Sequence, residues 1–329
     1  MQRNSVIYLF IIAQGYELHK NTITRLHILY NMNYQPSDKE ILFPEAKINL
    51  GLFVTRKRED GYHILQTLFY PIDWRDALEI LLLDDQPGTV RFSQTGITVD
   101  CDPELNLCVK AYRLLQERFP DLPAVSMHLE KQIPFGAGLG GGSSDGAHAL
   151  LMLRKMFDLP VSDADLEAMA ARMGADCAFF CRCANLYNTN DNGGQLSAQY
   201  CEGVGHELEY HPLSLKGKYM VIVKPPFGVS TKEAYSNVHP MKPEVDLNIL
   251  LNKPVKEWKD CIKNDFEDSV FPLHPELQQV KDLLYQHGAI YASMSGSGSA
   301  LFGIFDTEQP NCQEWFEEGY TAKGHWALV

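Results

Sequence analysis

Long apolar runs and basic clusters are both missing from this sequence. The longest apolar run, residues 6–13, is far shorter than the roughly 20 residues that a membrane-spanning helix needs. The formal net charge is -13, which disfavours electrostatic binding to nucleic acid or to an anionic membrane surface. We therefore expect a small-molecule partner, with no nucleic acid and no membrane.

A regular cysteine framework is missing as well. The eight cysteines stand at irregular spacings, unlike those of a small disulfide-rich secreted domain. Cys177, Cys181, Cys183 and Cys201 are close in sequence, but their spacing matches no standard zinc pattern. The sequence thus favours a reducing cytoplasm, and we assign no metal ligand.

The N-terminal segment shows no sustained periodicity. We expect residues 1–40 to be an extension outside the fold, because a clear strand pattern begins only at Ile41. Two other interpretations stay open. Residues 6–13 could be a signal-peptide core, although only Arg3 precedes them and no clear cleavage site follows. Alternatively, Met32 could be the true start of translation.

The rest of the chain is long enough for two domains. We predict a first domain at residues 41–216 and a second at residues 217–329, which opens with an apolar strand at residues 219–223. The polar, glycine-containing segment 184–201 predicts a long loop or an insertion in a hairpin. The sequence does not decide between a monomer and a homodimer.

Alternating residues predict a half-buried strand from Glu45 onward. Its apolar positions point one way, so Lys47 and Asn49 share the other face. Further along, Ser162 and Asp165 form a capping pattern for a helix that Gly174 is suited to end. Asp176 is therefore expected just beyond a helix end.

The sharpest pattern is a glycine-rich loop at residues 134–144, between a predicted strand and a predicted helix. Glycines let backbone N–H groups turn inward, and a helix N-terminus favours anions, so this loop predicts a phosphate site. A flexible turn is the alternative, and helix capping alone would explain the serines. The residues expected to hold the nucleotide are Pro134, Gly136, Gly138, Gly140, Gly141, Gly142, Ser143 and Ser144.

Two better-known phosphate loops fit this segment less well. Gly136, Gly138 and Gly141 match the dinucleotide fingerprint, but the following helix leads into another helix, with no second strand to carry a ribose-binding acid. In a P-loop reading, Gly142 occupies the place of the phosphate-binding lysine.

The loop and three other blocks resemble the GHMP kinases, which are named for galactokinase, homoserine kinase, mevalonate kinase and phosphomevalonate kinase. The blocks are AKINL from residue 46, PFGAGLGGGSS from 134, GAD from 174 and SGSGS from 295. The resemblance implies a two-domain α+β fold, with a ribosomal-protein-S5-like first domain and a ferredoxin-like second domain. It also implies transfer of a phosphoryl group from ATP, with Mg²⁺, to a substrate alcohol.

Further blocks resemble one branch of that family, whose substrate is a cytidine diphosphate compound in isoprenoid precursor synthesis. These blocks are AKINLGL from residue 46, DGYHxLxT at 60–67, GADxxFF at 174–180 and NDFE at 264–267. The resemblance implies that Tyr62 and His63 contact the base, with Tyr235 on its other side. Isolated residues of these types are more often ordinary packing residues, and that alternative is kept.

The resemblance also supplies the catalytic roles. Asp176 matches the aspartate that accepts or orients the hydroxyl proton, and Lys47 matches the lysine that stabilises charge on the hydroxyl and the transferred group. Asn49 is expected to support them. The structural alternatives are a helix N-cap for Asp176 and a solvated strand lysine for Lys47.

The remaining substrate contacts are expected near the acceptor. Thr231 is a candidate for the sugar-alcohol end of the substrate, and Gly296 and Gly298 are expected to let the second domain approach the phosphates or the substrate. A tight hairpin turn would explain those two glycines equally. Three functional alternatives stay open: another GHMP kinase, a non-catalytic nucleotide-binding relative and a dinucleotide-dependent oxidoreductase.

Overall fold

The structure is a computed structural model that describes residues 38–98, 102–188, 196–203, 205 and 207–328. Most of the predicted extension, residues 1–37, lies outside the described residues. Lys39 and Glu40, which were predicted to be outside the fold, instead begin the first strand and pair with Leu81 and Ile80. The predicted start of the fold was therefore two residues too late.

The described strands and helices alternate along the chain. The strands are β1 (Lys39–Leu42), β2 (Glu45–Lys57), β3 (His63–Arg75), β4 (Ala77–Leu82), β5 (Val90–Gly96), β6 (Val125–Lys131), β7 (Ala198–Glu202), β8 (Glu207–His211), β9 (Tyr219–Lys224), β10 (Tyr291–Met294), β11 (Leu301–Phe305) and β12 (Thr321–Trp326). The helices are α1 (Leu107–Arg118), α2 (Gly141–Met156), α3 (Asp163–Met173), α4 (Ala175–Asn188), α5 (Thr231–Ser236), α6 (Leu247–Leu250), α7 (Glu267–Val270) and α8 (Pro275–Gln286).

These strands form three four-stranded sheets. The first has the order β1-β4-β6-β5, with β5 parallel to β6. The second, β2-β3-β7-β8, is antiparallel throughout, as is the third, β10-β11-β9-β12. Helix α8 packs on β10 and β11 of the third sheet.

Strand β2 is buried on both faces, whereas its alternation predicted a half-buried strand. Ile48 and Leu50 pack into a core shared with Ile222 and Phe302 of the third sheet. The opposite face carries Lys47, which is covered by other protein groups instead of facing water. Alternation in sequence identifies two chemically different faces but does not tell whether both are covered.

The segment predicted as a loop or insertion, residues 184–201, is mostly regular structure at its two ends. Helix α4 continues to Asn188, and β7 begins at Ala198. Gln199 pairs with Phe69 and Cys201 with Thr67 on β3. The polar composition of this segment concealed the strand. In the structure the polar Gln199 amide is nevertheless buried, and it donates to Ser197 Oγ at 2.8 Å. The loop prediction was therefore wrong for residues 184–188 and 198–201.

The first turn of α4 begins directly after α3. The Ser162 hydroxyl caps α3 by accepting from the amide of Asp165, as predicted. Gly174 is extended at φ 167°, and α4 starts one residue later. Asp176 is thus the second residue of a helix and not its N-cap, which removes the structural alternative for this residue.

The predicted hairpin near the C-terminus is formed by β10 and β11. Its connection, residues 295–300, reaches the glycine-rich loop of residues 134–144, because Ala300 N donates to Ala137 O at 3.0 Å. Between β9 and α8, the described helices include the short α6 and a 3-10 turn at Val255–Asp260. Among the described residues, no helix combines the length and apolar character needed to cross a membrane.

Candidate active site

Lys47 lies where β2 meets the glycine-rich loop. Its Nζ donates to Asn49 Oδ1 at 2.6 Å and to the carbonyl oxygen of Gly138 at 3.0 Å. The same Nζ lies 3.4 Å from Asp176 Oδ2 and 5.2 Å from the centre of the Phe69 ring. The side chain is only 4% exposed, so it is not a solvated strand lysine. Its ammonium is held in one position.

Asp176 is the more accessible member of this pair. Its side chain is 33% exposed, and it lies in the first turn of α4, where the helix dipole favours a carboxylate. The ammonium of Lys47 stabilises the same charge. Asp176 can therefore present its carboxylate to a ligand, while the side chain of Lys47 next to it remains buried.

Asn49 is oriented by a side chain that the sequence did not single out. Its Nδ2 donates to Thr67 Oγ1 at 2.9 Å, and the Thr67 hydroxyl in turn donates to Gly51 O at 2.6 Å. This chain turns Asn49 Oδ1 toward Lys47. Thr67 ends the DGYHxLxT block, but its role is visible only from the pairing of β2 with β3.

The glycine-rich loop takes backbone conformations that suit glycine. Gly136, Gly138 and Gly140 have φ of 61°, 75° and 70°. A Cβ on Gly138 would lie 1.9 Å from the carbonyl oxygen of Ser295, and one on Gly140 would lie 2.8 Å from the Phe180 ring. Conformation therefore favours glycine at all three positions, and close packing requires it at Gly138 and Gly140.

The end of the loop forms the first turn of α2. Gly141 is its first residue, and a Cβ on Gly142 would meet no atom within 4 Å. Open space beside a helix N-terminus is what an anion needs. Ser144 is fully buried, with its Oγ 3.4 Å from His148 Nδ1, so its hydroxyl faces the interior. Of the two predicted serines, only Ser143 is partly accessible.

A second glycine loop packs against the first. Ser295 Oγ donates to Gly138 O at 2.9 Å and accepts from Asn49 N at 3.3 Å. The Asn264 amide holds this loop from behind by donating to Met294 O and Gly296 O, each at 2.8 Å. Both residues lie within the motif blocks named above, but no role was predicted for either.

The predicted glycines of this second loop lie at the same junction. A Cβ on Gly296 would lie 3.3 Å from both Asn49 Oδ1 and Gly138 O. Gly298 has a φ of 88° and packs against Met294. The second glycine loop is therefore more than a tight hairpin turn, because it contacts both the first glycine loop and β2, the strand that carries Lys47.

The predicted base site has a different form from the expected one. His63 and Tyr235 stack directly, with ring centroids 4.7 Å apart and an interplanar angle of 24°. A base between two rings needs two stacking distances, about 7 Å in all. The base therefore does not fit between His63 and Tyr235 in this arrangement. Tyr62 is 66% exposed and free to cover a base from outside.

Two pKa shifts describe the surroundings of these rings. Partial burial, assisted by Lys57, lowers the pKa of His63. Burial raises the pKa of Tyr235 to about 12, and the charge of Asp176 adds to this effect. Tyr235 is thus electrostatically close to the candidate catalytic carboxylate. At the start of α5, Thr231 Oγ1 lies 3.5 Å from Ser297 Oγ, beside the second glycine loop.

No metal cluster accompanies these groups in the part of the chain that the structure describes: no three His, Cys, Asp or Glu side chains are arranged to hold an ion. Cys177, Cys181, Cys183 and Cys201 are buried free thiols. Burial raises the pKa of Cys177 and of Cys201 to about 12. These thiols are therefore protonated packing groups.

Comparison with known proteins defines the class. Residues 106–183 match the model of the GHMP kinases N terminal domain, and residues 249–314 match that of the GHMP kinases C terminal domain. The first match ends seven residues after Asp176, and the second contains both Asn264 and Ser295. The fold is thus that of the GHMP kinases, which are ATP-dependent small-molecule kinases.

The most informative relatives share one name. The chain is 47% identical over 280 residues to 4-diphosphocytidyl-2-C-methyl-D-erythritol kinase of Bacteroides fragilis, which covers 85% of this chain and 97% of the relative. It is 49% identical over 268 residues to the kinase of that name from Bacteroides thetaiotaomicron, covering 82% and 93%. A crystal structure of 4-(cytidine 5'-diphospho)-2C-methyl-D-erythritol kinase matches with a TM-score of 0.67 and 31% identity, covering 87% of this chain and 98% of that one. The chain therefore belongs to the 4-diphosphocytidyl-2-C-methyl-D-erythritol kinase family of GHMP kinases.

Proposed function

We propose that this chain transfers the γ-phosphoryl group of ATP to the 2-hydroxyl of 4-diphosphocytidyl-2-C-methyl-D-erythritol, in the non-mevalonate route to isoprenoid precursors. The observation that carries the proposal is the position of the Lys47 ammonium, which contacts the phosphate loop at Gly138 and lies 3.4 Å from Asp176. The relatives described above carry the same activity in their names. We place the enzyme in the cytoplasm, as a monomer or a homodimer.

The glycine-rich loop would hold the phosphates of ATP. Its backbone N–H groups and the N-terminus of α2 favour negative charge, and the space beside Gly142 is open. Pro134, Gly136 and Ser143 line the same turn of the chain. Since phosphoryl transfer depends mainly on positioning and charge stabilisation, a rigid loop of this kind is the part of the site that the reaction needs most.

Lys47 and Asp176 would act on the acceptor. A tertiary alcohol is crowded and weakly nucleophilic, so its hydroxyl must be oriented toward the phosphorus atom. We assign that orientation, and acceptance of the proton as the new bond forms, to Asp176. Lys47, held by Asn49 and Gly138, would stabilise negative charge on the hydroxyl oxygen and on the transferred group.

Mg²⁺ fits this site as a companion of ATP. Magnesium is bound in kinases by one or two carboxylates together with substrate phosphates and water. Asp176 is a partly exposed carboxylate beside the phosphate loop, so this chain offers one ligand and ATP would supply others. When bound, the ion neutralises phosphate charge.

The cytidine end of the substrate would bind at Tyr62, His63 and Tyr235. The exposed ring of Tyr62 is available for stacking, and His63 can read the polar edge of a base. Thr231, Gly296 and Gly298 would approach the methylerythritol and diphosphate groups. With the proposed domain boundary near residue 216, the glycine-rich loop of residues 134–144 belongs to the first domain and the second glycine loop belongs to the second domain.

The deciding experiment is phosphorylation of 4-diphosphocytidyl-2-C-methyl-D-erythritol by the purified chain with ATP and Mg²⁺, beside mevalonate and homoserine. We expect turnover of the cytidine compound alone. Turnover of mevalonate or homoserine instead would move the enzyme to another GHMP branch. Binding of an ATP analogue without any turnover would indicate a non-catalytic relative.

A further inference from the structure

Lys224 is a half-buried lysine at the end of β9 that the reaction described above does not use. Its Nζ donates to Pro225 O at 2.6 Å and to Phe227 O at 2.7 Å. Among the described residues, no carboxylate lies within ion-pair distance of this ammonium. Burial lowers the pKa of Lys224, and no neighbouring charge offsets that effect. The Lys224 ammonium therefore bonds to backbone carbonyls and not to a carboxylate.

The two carbonyls belong to a loop, residues 225–230, that needs outside donors. Pro225 and Pro226 have no backbone N–H, so the loop has few hydrogen bonds of its own to fix its shape. Lys224 supplies two donors from a position that strand β9 holds rigidly. A buried charge costs free energy unless it is well bonded, and here the bonds fix one loop conformation.

This loop touches both glycine loops. Phe227 O, which accepts from Lys224, also accepts from Ser299 Oγ of the second glycine loop. A Cβ on Gly228 would lie 3.4 Å from Gly136 O of the phosphate loop. The loop thus forms a bridge between the two halves of the phosphate site.

The far end of the same loop fixes the start of α5. Ser230 caps the helix by accepting from the amide of Glu233, and Thr231 is the first helical residue. Phe227 stacks on His274 at 5.1 Å, and His274 Nε2 lies 2.8 Å from Glu233 Oε1. A shift of the loop would therefore move Thr231 relative to the phosphate loop.

We propose that Lys224 is a positioning residue: its ammonium, bonded to Pro225 O and Phe227 O and facing no carboxylate, holds the 225–230 loop between the two glycine loops and so keeps the nucleotide-binding and acceptor-binding surfaces in position for binding. The proposal rests on the proposed function where its test measures the KM for the acceptor. The Kd for ADP is measured without turnover, so the proposal and the proposed function can fail separately.

The test is Lys224→Met, which keeps side-chain length but removes the charge and the donors. We expect the KM for the cytidine acceptor and the Kd for ADP, measured by titration calorimetry, each to rise about fivefold, because the loop contacts both binding sites. A purely structural defect would instead reduce the active fraction, lowering kcat while leaving both constants unchanged.

Lys218→Met is the matched control. Lys218 immediately precedes β9 at its other end and pairs with Asp306 at the surface, so its removal should leave both constants within twofold of the wild type. Equal constants for the Lys224→Met and wild-type proteins, with normal folding, would overturn the proposal. If Lys224→Met does not fold, Lys224→Gln replaces it, since its amide can still donate to one carbonyl; unchanged constants in that variant would overturn the proposal equally.

The outcome for the wild-type chain is read separately. If it does not phosphorylate the cytidine compound, the proposed function fails. The Kd for ADP then decides the role of Lys224 alone: a rise in Lys224→Met but not in Lys218→Met supports the bridge, and no rise in either refutes it.

Discussion

At the residue scale, the site converges on a buried ammonium and a partly exposed carboxylate. Lys47 is fixed by Asn49, Gly138 and Asp176, so its position does not depend on bound ligand. Asp176 has surface left for a hydroxyl group or a cation. This division predicts that the two residues respond differently to substitution: Lys47 affects the architecture of the site, and Asp176 affects chemistry above all.

Asp176→Asn should abolish most turnover while retaining binding. The amide keeps the shape of the carboxylate but neither accepts the hydroxyl proton nor carries charge, so we expect kcat to fall about 10²- to 10⁴-fold with the KM for the cytidine acceptor little changed. Steady-state kinetics give both values. Asp165→Asn, an exposed acid in the first turn of α3, is the control, and a near-normal kcat for Asp176→Asn would remove this residue from catalysis.

His63→Ala should affect the acceptor and not the nucleotide. A hydrogen bond contributes about 0.5–1.5 kcal/mol, so loss of the His63 contact to the polar edge of the base should raise the KM for the cytidine compound about tenfold while the KM for ATP stays within twofold. The exposed His239 provides the control substitution to Ala. An equal loss for both substrates would contradict the assignment of His63 to base recognition.

At the element scale, the segment Asn264–Glu267 joins β10 and the second glycine loop to the strand of Lys47. Besides the Asn264 bonds to the second loop, Asp265 Oδ2 accepts from Val54 N of β2 at 2.7 Å. Glu267 Oε1 accepts from Met294 N at 2.8 Å and from Ser293 Oγ at 2.9 Å. The four-residue motif is thus a structural clamp, and its backbone continues the edge of β2 through Leu52.

The contact between the glycine loops makes one substitution unusually costly. Gly138→Ala would place a Cβ 1.9 Å from Ser295 O at a φ of 75°, so the loops must separate. We expect the free energy of unfolding to fall by about 2 kcal/mol or more, from backbone strain together with the lost contacts. Urea titration measures this change.

Gly142→Ala is the matched control for that experiment. Its Cβ would meet no atom within 4 Å, and the residue is helical, so alanine should leave the stability unchanged or raise it by up to about 1 kcal/mol. Equal stability of the Gly138→Ala and Gly142→Ala proteins would show that the loops can separate without cost.

At the scale of the whole molecule, three histidines favour folding at neutral pH. Burial lowers the pKa of His63, His211 and His325 in the folded chain. The unfolded chain therefore binds more protons below about pH 6.5, and stability is lost as the pH falls through that value. We expect the urea midpoint to decrease between pH 7.5 and pH 5.5.

Two substitutions check the source of that dependence. His325→Gln should flatten the pH profile, because partial burial lowers the pKa of His325 and glutamine does not titrate. His239→Gln, at an exposed position, should leave the slope unchanged. Identical slopes for the two variants would mean that groups other than His325 carry the pH dependence.

The sequence by itself determined the chemistry of this protein. Glycines at 136, 138 and 140 indicate a left-handed loop, and Ser162 and Asp165 indicate a helix start, because these signals depend on local backbone physics. The order of the four motif blocks indicated the kinase family. Lys47, Asn49 and Asp176 were predicted together, and the structure brings them together.

Only the tertiary structure decided what covers those residues. Strand β7 was concealed by its polar residues, because its pairing with β3 joins segments far apart in the chain. The second buried face of β2 depends on packing against α2. Thr67 and Ser295 lie within motif blocks, but only the fold shows that they bond to Asn49 and Gly138. Lys224 bonds to residues next to it in sequence, but only the fold shows that their loop contacts both glycine loops. The direct stacking of His63 on Tyr235 likewise arises because residues 172 positions apart meet in the folded chain.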